Sequence, residues 1–201
     1  MKKLLIMTVL GVGLAIGAYA QSGAAPGATA PDFSLTDAVS GRAISLADFK
    51  SQKAVVLVFT SNYCPYSRLY ESRINQLVGQ YRDRGVAFVL INPNDAQQNK
   101  EESEQAMKQK AESWGNGLPY LSDKKQATAK KYGASKTPEV YVLTPRNGNF
   151  TVYYAGAIDD NPQVAEDVSQ PYLQQAIEGA LSGKTAVVRS KRPVGCMIKT
   201  P

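Results

Sequence analysis

The feature that most constrains the fold is a continuous apolar run at residues 54–60, followed by a cysteine. A run of strand length that is apolar on both faces indicates a central strand, covered on both sides by other elements. After Cys64 the apolar residues recur at helical spacing until Gly85. The sequence therefore predicts a buried strand and a helix, with Cys64 at the N-terminus of that helix.

The rest of the chain alternates strand and helix patterns, as expected of an α/β fold with a mixed sheet and helices on both faces. The Asn147-Gly148 pair between two of the strands is a hairpin signal. The first strand, helix and second strand are expected to form a right-handed crossover. Further strands are predicted at residues 86–91, 118–121, 139–143 and 150–155, and further helices at residues 96–114, 123–132 and 171–181.

The first twenty residues have the pattern of a secretory signal peptide. Lys2 and Lys3 precede an apolar stretch, and Ala18-Tyr19-Ala20 matches a cleavage site. We therefore expect an exported protein, periplasmic or secreted, without stable membrane insertion after cleavage. An uncleaved anchor is the alternative, and the short apolar stretch disfavours it. The domain interpretation is a signal peptide at residues 1–20, a flexible leader at 21–30, one domain at 31–185 and a C-terminal tail at 186–201.

The composition limits the available chemistry, because the chain has two cysteines and no histidine. This set cannot supply the usual ligands of zinc, so no metal site is expected. The net charge of +6 falls to +4 without Lys2 and Lys3, and acids are scattered among the remaining cations. We therefore expect no nucleic-acid surface. Two cysteines in an exported protein indicate one disulfide, lasting or transient.

Cys64 is the main candidate for chemistry. The unpaired N–H groups and the dipole at a helix N-terminus favour a thiolate, which is the reacting species in disulfide exchange and in peroxide reduction. Arg68, one turn further on, is a candidate for an added positive charge. A buried, inert cysteine is the alternative.

A set of motifs, in order along residues 30–199, resembles the thioredoxin fold and its redoxin (AhpC/TSA-type) branch, which holds peroxiredoxins and exported thiol–disulfide reductases. The resemblance implies a thioredoxin-like α/β fold, with a central mixed sheet flanked by helices and a redoxin-type N-terminal extension. The segments that carry it are Ala30-Pro31-Asp32-Phe33-Ser34-Leu35, Asn62, Cys64-Pro65-Tyr66, Pro119-Tyr120-Leu121, Lys131-Tyr132-Gly133-Ala134, Thr137-Pro138, Ile158-Asp159-Asp160-Asn161 and Gly195-Cys196-x-Ile198-Lys199.

Ser61 is the main departure from that pattern. Thioredoxin-like reductases have Cys-x-x-Cys here, so the serine makes a dithiol exchange within this loop impossible. Peroxiredoxins place Thr or Ser three residues before their reactive cysteine, where the hydroxyl orients peroxide. Ser61 fits that role, or it caps the following helix. The proline that peroxiredoxins usually have seven residues before the reactive cysteine is replaced by Leu57. Arg68 and Arg146 are both candidates for the activating arginine, and the sequence does not choose between them.

Thr137-Pro138 resembles the cis-proline loop of the thioredoxin fold, which packs against the active cysteine and exposes backbone for a partner chain. With Tyr63, Pro65 and Arg68, it makes up the predicted partner-binding residues. The segment at residues 159–161 is interpreted as a capped turn, with a proton shuttle or an ion-binding site as the alternatives.

Cys196 is either a thiol that resolves an intermediate on Cys64, half of a permanent staple, or unpaired. A Cys64–Cys196 bond closes a loop of roughly 130 residues, worth on the order of 4 to 5 kcal/mol in the chain-entropy model. The resemblance implies an exported, peroxiredoxin-like, thiol-dependent oxidoreductase, in which Cys64 attacks a small peroxide or a protein disulfide. Ser61 would orient Cys64, and an external dithiol would be the reductant, without metal or organic cofactor. The alternative is a redox-inactive thioredoxin-fold binding or scaffold module.

Overall fold

The structure, a computed structural model, describes residues 23–97 and 99–199, so the predicted signal peptide lies outside the described residues. Within these ranges, none of the helices combines the length and the apolar character that crossing a bilayer requires.

The strands and helices form a mixed sheet that is covered on both faces. The eight strands of the main sheet have the order β2-β1-β5-β4-β3-β7-β8-β9, and β6 and β10 form a separate pair. The strands are β1 (Ser34–Asp37), β2 (Ala43–Ser45), β3 (Ala54–Phe59), β4 (Val86–Asn92), β5 (Tyr120–Ser122), β6 (Lys136–Thr137), β7 (Glu139–Arg146), β8 (Asn149–Gly156), β9 (Ser190–Lys191) and β10 (Cys196–Met197). The helices are α1 (Pro65–Tyr81), α2 (Glu104–Trp114), α3 (Ala127–Tyr132) and α4 (Tyr172–Leu181). The predicted α/β, thioredoxin-like arrangement is confirmed.

The strand β3 is the centre of the molecule, and every one of its side chains is fully buried. It pairs in parallel with β4 and antiparallel with β7. Successive side chains of a strand point to opposite faces. Thus Ala54, Val56 and Val58 join the core beneath α1, α2 and α4. Val55, Leu57 and Phe59 join the core on the other face, with α3 and the N-terminal segment.

Two predicted helices begin later than their sequence patterns indicate. The polar stretch after β4 forms only a 3-10 turn at Lys100–Glu102, and α2 begins after Ser103. Ser103 has an extended backbone, and its hydroxyl accepts a hydrogen bond from Ala106 N–H, as an N-cap does. The helix expected from residue 123 begins at Ala127, and the Asp123 carboxylate accepts the N–H groups of Thr128 and Ala129 in its first turn.

The predicted flexible leader needs a correction, because residues 24–30 lie along the sheet. The Gly27 and Ala30 N–H groups donate to the carbonyl oxygens of Val152 and Phe150, each at 2.8 Å. The Ala24 N–H donates to Tyr132 O at 3.0 Å, and the side chains of Ala24 and Ala30 are buried.

The carboxylate of Glu178 in α4 links this helix to the C-terminal end of α1. Its pKa predicts how the stability of the fold depends on pH. Arg84 binds Glu178 through two nitrogens, and the Tyr81 hydroxyl donates to the same carboxylate at 2.8 Å. Arg84 first, and then Tyr81, lower the pKa of Glu178 from 4.5 to about 2. A lowered pKa stabilises the fold above the unfolded value, and this stabilisation is lost as the pH falls from about 4.5 to about 2.

We therefore expect Glu178→Gln to lower the free energy of unfolding at pH 7 by less than about 1 kcal/mol, because the pair is half-exposed. The difference from the wild type should disappear near pH 2, as measured by urea unfolding across this pH range. Glu112→Gln is the control, since that carboxylate lies 3.9 Å from Lys108 on an exposed helix face. A Glu178→Gln difference that persists unchanged at pH 2 would contradict the electrostatic origin.

Candidate active site

The segment at residues 60–64, here called the cysteine loop, begins at the carboxyl end of β3, in the centre of the sheet. In this region Phe59 is opposite Ile91 in β4 and opposite Glu139 in β7. The chain then turns, and Cys64 precedes the first residue of α1, Pro65, whose missing N–H is harmless at that position. Cys64 is only 2% exposed and occupies the N-cap of α1. The predicted placement of this cysteine is confirmed.

Cys64 and Cys196 form a disulfide, with their Cα atoms 6.0 Å apart and 132 positions apart in the chain. The sequence left this pairing open, because spacing alone gives no distance between the two sulfurs. Cys196 is partly exposed, whereas Cys64 is buried. The two cysteines of one disulfide therefore differ in their exposure to solvent.

The cis-proline loop lies against the disulfide. The Thr137–Pro138 peptide bond is cis, as predicted. Thr137 O lies 3.1 Å from Cys64 Sγ. In the β6–β10 pair, Cys196 is directly opposite Thr137. The loop thus contacts both halves of the disulfide.

The carboxylate of Glu102 holds the cysteine loop in place. It accepts hydrogen bonds from the N–H groups of Asn62 at 3.0 Å and Tyr63 at 3.3 Å. It also accepts from the Ser61 hydroxyl and from the Asn92 amide at 2.8 Å. Although Glu102 is only 6% exposed, four donors therefore compensate its charge. Charge-assisted hydrogen bonds of this kind fix a loop strongly.

Sequence reasoning misses Glu102, because the charge-rich pattern of residues 96–114 predicts one mostly exposed helix through this position. The break of that helix at Ser103 is what lets the carboxylate turn inward. A single serine within a polar run gives only a weak signal of such a break.

Ser61 lies between the buried carboxylate of Glu102 and the backbone of Cys64, and its role in orienting a peroxide stays a prediction. Its hydroxyl donates to Glu102 and accepts the Cys64 N–H at 3.1 Å. The helix N-cap is Cys64 itself, so Ser61 does not cap the helix. Its hydroxyl joins the buried carboxylate to the backbone of the cysteine.

A second buried carboxylate, Glu139, holds the other half of the site. It accepts the N–H groups of Ser135 at 2.9 Å and Lys136 at 3.2 Å, just before the cis bond. It also accepts the Tyr141 hydroxyl at 3.1 Å. Burial, assisted by the negative charge of Glu139, raises the pKa of Tyr141. The phenol therefore stays protonated and remains a donor.

The side chains of Arg68, Arg146 and Asp159, the other candidate site residues, make no contact with the cysteines among the contacts found for them. Arg68 Nε donates to Asn62 O at 2.8 Å, and its guanidinium pairs with Glu101, so the contacts found for it brace the loop. Arg146 lies at the end of β7 remote from the cysteines. Asp159 binds the Tyr70 hydroxyl at 2.6 Å and Arg73 at 2.7 Å, which favours the structural interpretation of its turn.

A cavity of about 330 Å³ opens beside the disulfide. Both cysteines line it, together with Tyr63, Pro65 and Thr137, so the structure brings these predicted site residues together. Tyr63 is 51% exposed, and the Lys199 ammonium lies 6.0 Å from its ring centroid. Across residues 23–97 and 99–199, no three His, Cys, Asp or Glu side chains cluster as metal ligands. The two sulfurs of the disulfide are the redox-active groups among the residues that line this cavity.

Replacing the buried carboxylate should damage the site far more than replacing its exposed neighbour. We expect Glu102→Ala to lower the free energy of unfolding by about 2 to 3 kcal/mol, because buried donors in the cysteine loop lose their acceptor. Glu101→Ala, the matched control, removes a half-exposed ion pair and should cost less than about 1 kcal/mol. Urea unfolding of the two oxidised variants measures both values. Equal losses would show that Glu102 does not anchor the loop.

Gly195 lies against the cis-proline loop with no room for a side chain. A Cβ atom at this position would lie 2.2 Å from Thr137 O and 2.7 Å from Thr137 C. We therefore expect Gly195→Ala to destabilise the oxidised protein by about 1 to 3 kcal/mol in thermal or urea unfolding. Gly79→Ala is the control, since a Cβ in that helix meets nothing within 4 Å and should be neutral or stabilising. No loss at Gly195 would mean that the tail moves freely.

Comparisons with known proteins identify a matching family and similar solved structures. The model of the AhpC/TSA family matches residues 26–160. An uncharacterized conserved protein from Geobacillus kaustophilus has 35% identity and a TM-score of 0.81, covering 89% of this chain and 93% of that one. A hypothetical protein from Sinorhizobium meliloti 1021 has 36% identity and a TM-score of 0.79, covering 88% of this chain and 94% of that one.

A curated relative with a named activity is also similar. The thiol-disulfide oxidoreductase ResA of Geobacillus thermodenitrificans is 27% identical over 168 residues, which are 83% of this chain and 88% of the relative. The family model spans about two thirds of the sequence, including β3, the cysteine loop and the cis-proline loop. The chain therefore belongs to the AhpC/TSA family.

Proposed function

We propose that this protein is a thiol–disulfide oxidoreductase whose redox pair is Cys64 and Cys196. The observation that carries the proposal is the disulfide itself, which lines an open cavity between a helix N-terminus and the cis-proline loop. The similarity to ResA supports disulfide exchange as the reaction class. The signal-peptide pattern at residues 1–20 supports an exported protein, periplasmic or secreted.

The reaction passes two electrons to a substrate disulfide. In the reduced protein, the Cys64 thiolate attacks one sulfur of the substrate, forms a mixed disulfide and releases the other sulfur as a thiolate. The Cys196 thiolate then attacks Cys64 Sγ, which expels the second substrate thiolate and forms the Cys64–Cys196 bond. An external dithiol reduces this bond and is itself oxidised to a disulfide. Sulfur alone carries the electrons.

The neighbouring residues have supporting roles in this scheme. The N–H groups of the first turn of α1 favour the negative charge on Cys64. Ser61 and Glu102 hold the cysteine backbone, and Arg68 braces the loop from outside. The partner would meet the exposed Tyr63 and Pro65 and the backbone of the buried Thr137–Pro138 segment.

Peroxide reduction, the other reaction expected from the sequence, has less support. The Ser61 hydroxyl is engaged by Glu102 and by the Cys64 N–H, and the contacts found for the Arg68 guanidinium are with Asn62 and Glu101. Orienting a peroxide at Cys64 would require both groups to change partners. We therefore expect hydrogen peroxide to react slowly.

The test is a redox titration of the mature protein against dithiol buffers, followed by exchange with a protein disulfide. We expect a reversible two-electron couple that both Cys64→Ser and Cys196→Ser abolish. The reduced wild type should exchange with the protein disulfide faster than it consumes stoichiometric hydrogen peroxide. The reverse order of rates would assign a peroxidase. A disulfide that survives millimolar dithiothreitol in the native state would assign the scaffold module.

A further inference from the structure

The C-terminal tail binds at the site as an extended strand that contains a cysteine. Cys196 and Met197 pair antiparallel with Thr137 and Lys136. The pairing continues to the Ile198 N–H, which donates to Ser135 O at 2.9 Å. Tail and loop thus form a short β-ladder, with the disulfide to Cys64 beside it. The same arrangement would result from any extended peptide joined to Cys64 through its own cysteine.

We propose that the substrates are polypeptide disulfides whose cysteine lies in an extended segment, preceded by glycine and followed two residues later by an aliphatic residue. Such a segment takes the place of the tail on the edge of β6. The inference rests on the proposed disulfide exchange and adds the substrate class. The contacts of each tail residue indicate which residue the substrate should have at the same position.

The position before the cysteine accepts only glycine. In the tail this residue is Gly195, where a Cβ would lie 2.2 Å from Thr137 O. The atom in its way belongs to the backbone just before the cis bond, whose preceding N–H groups are fixed by Glu139. The loop therefore has little freedom to withdraw from a larger residue.

The two positions after the cysteine have opposite requirements. Met197 is 65% exposed, so the residue directly after the cysteine contributes little and is free to vary. Ile198 packs against the core cluster that contains Phe59 and Tyr141. An aliphatic residue two positions after the cysteine therefore gains buried apolar contact, and a charged residue there would be desolvated without a partner.

The competition between tail and substrate follows from their shared edge. When Cys64 holds the substrate in a mixed disulfide, Cys196 reaches Cys64 Sγ only as the tail strand returns and the substrate strand leaves. Bond exchange and strand exchange are thus coupled. The substrate departs as a thiolate, and the tail regains its ladder and its disulfide.

The experiment uses the reduced full-length protein with Cys196→Ser, which stops at the mixed disulfide. The probes are peptides with the sequence of residues 191–199, each activated at its cysteine as a mixed disulfide with a coloured aromatic thiol. Release of the coloured thiolate gives the second-order rate constant. A peptide with Gly195→Ala should react about tenfold more slowly or worse, because the added Cβ meets backbone. A peptide with Ile198→Asp should also be slower, and one with Met197→Ser should react like the parent.

The same glycine substitution placed in the protein should have the opposite effect. With Cys196→Ser as the background, adding Gly195→Ala weakens the binding of the tail to β6, and the parent peptide should therefore react faster. General damage to the fold would slow the reaction instead. Gly79→Ala in the same background is the control and should leave the rate unchanged.

The outcomes separate this inference from the proposed function. Equal rates for all four peptides would overturn the substrate preference and leave disulfide exchange intact. A parent peptide that reacts no faster with the protein than with the Cys64→Ser, Cys196→Ser double variant would overturn both. If the protein with Gly195→Ala keeps a cooperative unfolding transition and its rate does not rise, the tail does not compete for the edge of β6.

Discussion

The register between β3 and β7 is the constraint on which the site depends. Phe59, the last residue of β3, is opposite Glu139, the first residue of β7. The chain that leaves β3 therefore lies beside the chain that enters β7, and these two segments carry Cys64 and the cis Thr137–Pro138 bond. Because β3 is buried on both faces, a shift by one residue would exchange the side chains of two cores. The core thus fixes the distance between the two halves of the site.

Buried carboxylates turn this coarse placement into a defined geometry. Loops beyond a sheet edge have N–H groups without strand partners, and these groups need acceptors when water is excluded. Glu102 accepts them on the cysteine side, and Glu139 accepts them on the cis-proline side. Each charge is compensated by several donors, so burial is tolerated and the loops are held firmly. The tail pairs with β6 beside these two loops.

The tail supplies what the cysteine loop lacks. With serine at position 61, Cys64 has no thiol partner in its own loop, and the partner comes from 132 residues further along the chain. A partner on a separate strand differs physically from a neighbouring thiol, because it pairs with β6 through its backbone and occupies the edge beside the sulfur. The tail therefore links the redox state of the Cys64–Cys196 pair to the occupancy of the edge of β6.

The sequence by itself determined the buried strand, the helix that begins after Cys64 and the hairpin at Asn147-Gly148, because apolar periodicity and turn residues are local signals. Thr137-Pro138 indicated the cis-proline loop only through its resemblance to the thioredoxin fold. The sequence did not reveal Glu102, the packing of residues 24–30 or the choice among the alternatives for Cys196. These depend on where separate segments meet, and only the tertiary structure decides that. A charged side chain in a polar run looks exposed until a break such as Ser103 turns it inward. Two distant cysteines stay independent until a strand ladder brings their Cα atoms to 6.0 Å.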